Sequence, residues 1–217
     1  MANKPLLIIG GGGHASVLVE VLLEQGREIL GVLAPAVPEQ RRVFEGIPHY
    51  SNDDEILNFN AGDVRLINGI GGVPFSNLRQ NVDTKFRSLG FSFDSVIDVT
   101  ARVSRYSTLG DGIQILANAT VQTGAVLGRG AIINTSAIVE HDSRVGENTH
   151  IAPGAVLAGG VSVGDNSFIG CNSVTIEGIT LGNNVVVGAG VTVLTDVASE
   201  VRYLGKNNES YFQKSED

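Results

Sequence analysis

The chain has 217 residues, of which 42% are hydrophobic and 18% are charged, with one cysteine and a formal charge of −8 at pH 7. The hydrophobic content excludes a disordered chain, and the single cysteine excludes a disulfide scaffold. The acidic charge argues against a nucleic-acid partner. No apolar run approaches the roughly 20 residues of a membrane span, and the apolar part of the amino terminus is too short for a signal peptide. We therefore expect a cytoplasmic globular protein without a membrane span.

The first 94 residues alternate short apolar runs with a helical pattern. Val17, Val21 and the Leu18 and Leu22 pair recur at the spacing of one helix face. A strand, a turn, a helix and a further strand in this order predict a small parallel α/β unit. The predicted elements are a strand over 6–9, a glycine turn over 10–13, a helix over 16–24, strands over 28–33 and 64–67, and a capped helix start over 52–57.

A six-residue repeat runs through residues 95–197. Of the seventeen positions taken every sixth residue from Ile97 to Val193, all are aliphatic except Thr175. A small or apolar residue follows four places after each, as at Ala101 and Ala119. One bulky inward residue and one small corner residue per repeat describe short strands joined by tight bends. Three repeats then make a triangular coil of 18 residues, so the pattern predicts a prism of five to six coils with a continuous aliphatic core.

Glycine is the residue type in excess, with 28 of 217 residues, about 13%, against a usual share of ~7%. Within the repeat it directly follows the aliphatic residue at positions 110, 128, 146, 164, 170, 182 and 188. We expect these glycines to supply the φ > 0 that tight bends require. The tail over 198–217 is polar and is predicted to be poorly ordered.

His141 is the first candidate for catalysis. It follows the inward Val139 by two positions, which predicts an outer location near a bend, and it lies between Glu140 and Asp142. A neighbouring carboxylate raises the basicity of an imidazole and fixes its tautomer, as a general base requires. The alternative interpretation is an exposed, solvated histidine without a role.

Gly159 lies one coil, or 18 residues, after His141. With no side chain there, its backbone N–H is open to anything bound beside the histidine. Such an N–H can hold the oxygen of an acyl group as it becomes an oxyanion. The alternative is that glycines are simply common at these bends.

Several motifs of this chain resemble those of the bacterial nucleotide-sugar N-acetyltransferases, hexapeptide-repeat enzymes that include sialic-acid O-acetyltransferase-like members. The resemblance implies a Rossmann-like nucleotide-sugar domain over 1–94 and a left-handed parallel β-helix that binds acetyl-CoA over 95–197. It covers nearly the whole chain, and the motifs that carry it are IGGGGH at 9–14, NTS at 134–136, VEHD at 139–142, HIAPG at 150–154 and LAGGV at 157–161.

The resemblance implies a role for each matching residue of the second domain. His141 would be the base, with Glu140 or Asp142 orienting it, and the N–H of Gly159 would bind the thioester oxygen of acetyl-CoA. The residues implied to line the same acetyl site are His150 and Asn134. The resemblance also implies homotrimers that hold acetyl-CoA between neighbouring prisms, and no metal.

In the first domain, the resemblance implies that the diphosphate of the nucleotide sugar binds at Gly11, Gly12, Gly13 and His14. A glycine turn at a helix amino terminus also suits an anion by itself, although close strand–helix packing is an equal explanation. The chain departs from the family pattern at three places: LAPA at 33–36 replaces an acidic pair, GIGG at 69–72 lacks an asparagine, and LGKNN at 204–208 replaces a Gly-x-Pro-Ala-like end. UDP, dTDP and GDP therefore all stay open as the carrier.

The implied reaction is acetylation of the 4-amino group of a nucleotide-linked 4-amino-4,6-dideoxy sugar for surface glycan synthesis. The alternatives are O-acetylation of a sialic-acid-like sugar and a non-catalytic assembly module. Two histidines in the prism argue against the three-histidine zinc site of γ-type carbonic anhydrases. Cys171 lacks a base at readable spacing, and His49 is expected to be solvated.

Overall fold

The computed structural model describes residues 4–74 and 76–205, together with the backbone of a strand over 209–211. The chain divides into two compact units. Unit 1 comprises residues 1–71 and 75–96, and unit 2 comprises residues 72–74 and 97–217. The domain limits at 94/95 and 197/198, and the function assigned to each domain, stay predictions.

Unit 1 is an α/β layer around a parallel sheet of four strands in the order β3-β2-β1-β4. The strands are β1 (Leu6–Ile9), β2 (Ile29–Leu33), β3 (His49–Tyr50) and β4 (Arg65–Asn68). The helices are α1 (Gly13–Glu24) and α2 (Leu78–Ser88), with 3₁₀ turns at Arg42–Phe44 and Asp53–Asn58.

The predicted elements of unit 1 are all present; β1 has the predicted ends, and the other elements begin or end one to three residues away. The helix expected over 16–24 begins at Gly13, directly after the glycine turn. The capped start is a 3₁₀ turn whose Asn52 side chain accepts from Asp54 N, while Glu55 reaches back to Asn52 N. The sequence interpretation missed β3, a two-residue edge strand, and α2, whose buried residues include the polar Arg79 and Asp83 and therefore give little apolar periodicity.

Unit 2 is the predicted prism, a left-handed parallel β-helix. Each strand of the repeat has two residues and ends at the predicted inward position. In chain order the strands are β5 (Val96–Ile97), β6 (Arg102–Val103), β7 (Thr108–Leu109), β8 (Gln114–Ile115), β9 (Thr120–Val121), β10 (Val126–Leu127), β11 (Ile132–Ile133), β12 (Ile138–Val139), β13 (Arg144–Val145), β14 (His150–Ile151), β15 (Val156–Leu157), β16 (Ser162–Val163), β17 (Phe168–Ile169), β18 (Val174–Thr175), β19 (Thr180–Leu181), β20 (Val186–Val187) and β21 (Thr192–Val193).

Every third strand stacks in parallel on the next coil, which makes three flat faces. Face 1 contains β5, β8, β11, β14, β17 and β20, face 2 contains β6, β9, β12, β15, β18 and β21, and face 3 contains β7, β10, β13, β16 and β19. The register is 18 residues throughout, as in the pairs Ile138 with Val156 and Val139 with Leu157. From Ile115 onward the inward aliphatic residues form one buried cluster, closed at the corners by buried small residues such as Ala119 and Ala137. In the first coil Ile97 and Val103 are only partly buried against this cluster, and Leu109 is exposed.

The glycines that directly follow the inward residue serve a different purpose from the predicted one. Their φ values are not positive; a Cβ at Gly128 would lie 2.7 Å from the backbone nitrogen of Glu147 in the next coil. They are needed because the coils approach closely, and not for backbone conformation. Positive φ occurs two positions later, where the residue is a glycine, an asparagine, Ser136 (φ 57°) or Asp142 (φ 61°).

The expectation of a poorly ordered tail is wrong for residues 201–205. Strand β22 (Val201–Tyr203) adds to β20 in parallel on face 1, and β23 (Glu209–Tyr211) pairs with β22 in antiparallel fashion. Val201 and Tyr203 are 1% and 2% exposed and close the aliphatic core. Their alternation with Arg202 is the period of a strand with one buried face. Residues 206–208 and 212–217 of the predicted tail lie outside the described residues.

Among the described residues, neither helix has the length or the apolar character that crossing a bilayer demands.

Candidate active site

His141 stands at the corner that leads from β12 on face 2 to β13 on face 3, as its spacing predicts. Its side chain is 54% exposed, and its Nδ1 lies 2.9 Å from Oδ2 of Asp142. Glu140 makes a different contact, since its Oε2 accepts from the backbone N–H of His141 at 3.3 Å. Of the two carboxylates, Asp142 is therefore the one that orients the imidazole. With the proton on Nδ1 held by Asp142, Nε2 carries the lone pair.

The electrostatics of this corner favour a protonated imidazole. The hydrogen bond to Asp142 raises the pKa of His141 above its ordinary value, and the charges of Asp142, Glu140 and Glu177 act in the same direction. A raised pKa makes the neutral imidazole a stronger base, which is the property that proton abstraction needs. Nε2 has no hydrogen-bond partner among the described residues, so it is open to an incoming group.

Gly159 lies directly over the imidazole in the next coil. Its neighbour Gly160 donates from its backbone N–H to the carbonyl of His141 at 2.9 Å, which confirms the 18-residue offset of the two corners. A Cβ at position 159 would lie 2.6 Å from Nε2 and 2.7 Å from Cε1 of His141. Within the described part of the chain, the N–H of Gly159 has no acceptor. The corner thus combines a free imidazole nitrogen with a free backbone donor.

His150 and Asn134 form a second arrangement, on face 1 and at its edge. His150 is 7% exposed, with Nδ1 3.0 Å from the carbonyl of Gly72 and Nε2 2.9 Å from Nδ2 of Asn134. The Oδ1 of Asn134 accepts from Thr135 N, so the amide presents its NH₂ to the ring. The neutral tautomer with its proton on Nδ1 satisfies both contacts, and Phe168 packs edge-on at 5.0 Å. This histidine is held rigidly.

One prism does not bring these two arrangements together. The corner between faces 2 and 3 is the apex opposite face 1 in a triangular section, and His150 points outward from face 1. The predicted acetyl site contains His141 and Gly159 from that apex and His150 and Asn134 from the other side. A site that includes all four therefore needs two copies of the chain.

The glycine turn in unit 1 ends at the amino terminus of α1. This helix has neither a side-chain cap nor an acidic residue in its first turn, so no carboxylate opposes the positive amino-terminal end of its dipole. Gly12 has open space where a side chain would be, and the Arg41 guanidinium lies 3.5 Å from the Cβ position of Gly13. His14 packs against Gly71. The arrangement suits an anion, and binding of the sugar diphosphate at Gly11–His14 stays a prediction.

Sequence reasoning missed three residues near these sites. The carboxylate of Asp142 occupies the place that a side chain at Gly124, one coil earlier, would take. Arg41 donates to Ser16 Oγ at 2.8 Å beside the glycine turn. Arg79 is buried in unit 1 and donates to backbone carbonyls. The 18-residue offset could have identified Gly124, whereas no periodic signal marks either arginine.

The remaining candidate residues, His49 and Cys171, show no arrangement that indicates catalysis. His49 is exposed, but its Nε2 lies 2.8 Å from the carbonyl of Ala34, so it is not simply solvated as expected. Cys171 is exposed and unpaired. The residues described here contain no group of three or more histidine, cysteine, aspartate or glutamate side chains that could hold a metal ion.

Three family descriptions match the chain: "PglD N-terminal domain" over residues 5–86, "Bacterial transferase hexapeptide (six repeats)" over 124–159 and "Hexapeptide repeat of succinyl-transferase" over 160–195. With the prism and its corner histidine, they define the class of protein as a hexapeptide-repeat acyltransferase. A comparison with curated protein sequences found no match.

Solved structures narrow the class. PerB from Caulobacter crescentus, solved with CoA and GDP-perosamine, is 34% identical, with a TM-score of 0.85 over 98% of this chain and 99% of that one. The acetyltransferase domain of PglB from Neisseria gonorrhoeae, solved with acetyl coenzyme A, is 28% identical, with a TM-score of 0.86 over 97% and 100%. This chain is similar to both proteins, and it belongs to the family of hexapeptide-repeat nucleotide-sugar N-acetyltransferases.

Proposed function

We propose that the protein transfers the acetyl group of acetyl-CoA to the amine of a nucleotide-linked amino sugar, with His141 as the general base. The observation that carries this proposal is that two groups without a partner among the described residues, Nε2 of His141 and the N–H of Gly159, belong to residues stacked at one corner in successive coils. The similarity to PerB, a 34% identical protein solved with CoA and GDP-perosamine, supports the choice of both substrates.

The two groups act on different atoms of the reaction. The sugar amine attacks the thioester carbon, a C–N bond forms, and Nε2 of His141 takes the proton that the nitrogen loses. The carbonyl oxygen becomes an oxyanion and accepts from the N–H of Gly159. When the C–S bond breaks, the imidazolium returns the proton to the thiolate of CoA. Asp142 holds Nδ1 and stabilises the imidazolium between these two steps.

The acceptor is a 4-amino-4,6-dideoxyhexose, with its nucleotide diphosphate at the glycine turn of unit 1. The positive amino end of the α1 dipole, which no acidic residue opposes, and the nearby guanidinium of Arg41 supply the positive field that a diphosphate needs. GDP is the carrier to test first, since PerB was solved with GDP-perosamine. The product serves the synthesis of surface glycans.

The working form is a homotrimer whose sites lie between prisms, where acetyl-CoA binds. The support for this is that His141 belongs to the apex opposite face 1, while His150 lies on face 1 and Asn134 at its edge. A trimer of prisms can bring the apex of one copy to face 1 of the next. Co-expression of differently tagged His141→Ala and His150→Ala chains should then recover activity in the mixed trimers, since some of their sites have both histidines.

The test of the reaction is thiol release from acetyl-CoA with GDP-, dTDP- and UDP-linked 4-amino-4,6-dideoxy sugars. Turnover with one carrier, and a product that resists mild alkali, supports N-acetylation. An alkali-labile product would mean an ester and hence O-acetylation of a hydroxyl. No turnover with any amine or hydroxyl acceptor would leave the non-catalytic module as the better interpretation.

A further inference from the structure

Arg79, in the first turn of α2, is a buried cation for which the reaction has no evident use. It is 4% exposed, and its Nη1 donates to two backbone carbonyls of one loop, that of Asn68 at 3.0 Å and that of Ile70 at 2.6 Å. Burial lowers its pKa to about 10, against the opposing charge of Asp83. It is therefore still charged at neutral pH.

A buried charge is expensive, and an apolar side chain of similar length often serves stability as well or better. The position of this one suggests a more specific task. Both of its carbonyl acceptors lie in the segment that leaves the carboxyl end of β4, and both are held by the same nitrogen. Arg79 thus sets the orientation of two peptide groups in a loop rich in glycine.

The consequence follows from the trans peptide, whose C=O and N–H point in opposite directions. The Asn68–Gly69 peptide shows the effect: its carbonyl faces Arg79, and its N–H donates to the carbonyl of Ile9 at 2.8 Å. In the Ile70–Gly71 peptide the carbonyl again faces Arg79, so the N–H of Gly71 points away from it. This N–H has no acceptor among the residues that the structure describes.

The loop lies against the first turn of α1. A Cβ at Gly69 would be 2.8 Å from the Cβ of Ala15, and a Cβ at Gly71 would be 3.2 Å from the Cβ of His14. The free donor at Gly71 therefore neighbours the helix terminus to which we assign the diphosphate. Asn68 further fixes the loop, because its Oδ1 accepts from Ile70 N at 3.2 Å.

We propose that Arg79 is a positioning residue of the nucleotide-sugar site, which locks the Ile70–Gly71 peptide so that the Gly71 N–H donates to an oxygen of the diphosphate. The inference rests on the proposed function in that the ligand is a nucleotide sugar. The proposal adds the Gly71 N–H to the donors of the glycine turn. The guanidinium of Arg79 does not touch the diphosphate itself; it orients the peptide group that does.

The kinetic test compares Arg79→Met with Arg27→Met in the trimeric enzyme. Arg27 is the control from the same unit, because its side chain is 13% exposed, pairs with Asp94 at 2.8 Å and donates to the carbonyl of Lys4 at the amino end of β1, away from the loop after β4. In Arg79→Met the Gly71 N–H should lose its hydrogen bond to the charged diphosphate. The loss of that one hydrogen bond should raise the KM for the nucleotide sugar about tenfold. The KM for acetyl-CoA should stay within twofold, and Arg79→Lys should recover part of the loss. Arg27→Met should lower Tm without changing either KM.

A lower Tm in Arg79→Met with an unchanged KM for the sugar would overturn the proposal and leave a purely structural arginine. Equal rises in both KM values would do the same.

The second test observes the donor itself, by NMR of the protein labelled with ¹⁵N-glycine, and it needs no turnover. GDP, dTDP and UDP are added in turn, and Gly71→Ala assigns the resonance. One nucleotide should move the Gly71 amide proton downfield in the wild type but not in Arg79→Met. A Gly71 resonance that stays in place while glycines 11–13 respond would overturn the role of Gly71. Binding of a nucleotide with this shift, but without acetyl transfer, would sustain the inference and refute the proposed reaction.

Discussion

His141 and His150 are nine residues apart in one prism, and their surroundings differ in almost every respect. His141 stands at an exposed corner, with one ring nitrogen on Asp142 and the other without a partner among the described residues. His150 is 7% exposed, and both of its nitrogens are engaged, by Gly72 and Asn134. The first has a ring nitrogen open to an incoming group, whereas both nitrogens of the second are held by neighbouring groups.

The difference shows what the repeat does with a polar side chain. At a corner, a histidine is exposed and meets the charges of its own corner, here Asp142, and of a corner two coils further on, here Glu177. On face 1, His150 instead packs against the edge-on ring of Phe168 in the next coil. The same residue type becomes a base at one position and a fixed hydrogen-bonding group at the other. Replacing each histidine by alanine and comparing the two variants therefore tests this contrast.

The largest effect is expected from His141→Ala. Loss of a general base should lower kcat by about 10²–10⁴-fold, and because the side chain is exposed, Tm should change little. His150→Ala should lower kcat by only about tenfold, as expected for the loss of one hydrogen bond that positions the acetyl site, and should keep the pH profile of the wild type. Steady-state kinetics across pH distinguish them; equal losses of kcat in both variants would refute the contrast.

The next effect is expected from Gly159→Ala. The new Cβ would fall 2.6 Å from Nε2 of His141, so the imidazole must move out of place. A displacement of about 1 Å at a catalytic group costs on the order of 100-fold in rate. Gly160→Asn is the matched control, since Gly160 has φ +67° with free space around it, and asparagine takes this conformation at other corners. Full activity of Gly159→Ala would contradict the inference that the close approach of residue 159 to His141 matters for catalysis.

A smaller effect is expected from Asp142→Asn. Activity requires neutral His141, so it is lost as the pH falls through the pKa of that side chain. The carboxylate of Asp142 is the main cause that raises this pKa. Its removal should therefore move the acid limb of the kcat/KM profile to lower pH. Glu140→Gln, which keeps the imidazole contact, should move it less. A limb that stays in place in Asp142→Asn would mean that another group titrates.

The smallest effect on activity, and a gain in stability, is expected from Thr175→Val. Thr175 is the one polar residue in the inward column, fully buried, and its Oγ1 has no hydrogen-bond partner among the described residues. Removing a buried, unsatisfied hydroxyl without changing the volume should raise the free energy of unfolding by about 1–2 kcal/mol. Denaturant unfolding measures this, with thiol release as the control. A loss of stability would point to a partner that the structure does not show.

The period of six predicted the end of every strand in the repeat and the stacking of Gly159 on His141, because a solenoid converts sequence distance directly into position. The choice of Asp142 over Glu140 was not predictable in this way. Both carboxylates flank the histidine, and only the φ of 61° at Asp142 turns its side chain towards Nδ1.

Unit 1 has no such regularity, and its polar interior escaped prediction. Arg79 lies in a helix whose buried residues include Asp83, so neither its burial nor its contact with the loop after β4 has a periodic signal. The strand β22 was missed for a related reason. Val201 and Tyr203 alternate over too short a span to separate them from a polar tail.

Because the register of the prism is constant, the position of a residue in the repeat determines where it lies in the coil. Each position has a fixed identity, face or corner, that repeats every 18 residues. Inserting a whole coil lengthens the molecule along its axis and leaves every downstream side chain on its own face. Inserting a single hexad instead rotates everything that follows by a third of a turn. Losing or gaining one residue between positions 141 and 159 would change their separation from 18 residues. Gly159 would then no longer stack on His141, and the catalytic corner would be lost although the composition is nearly unchanged.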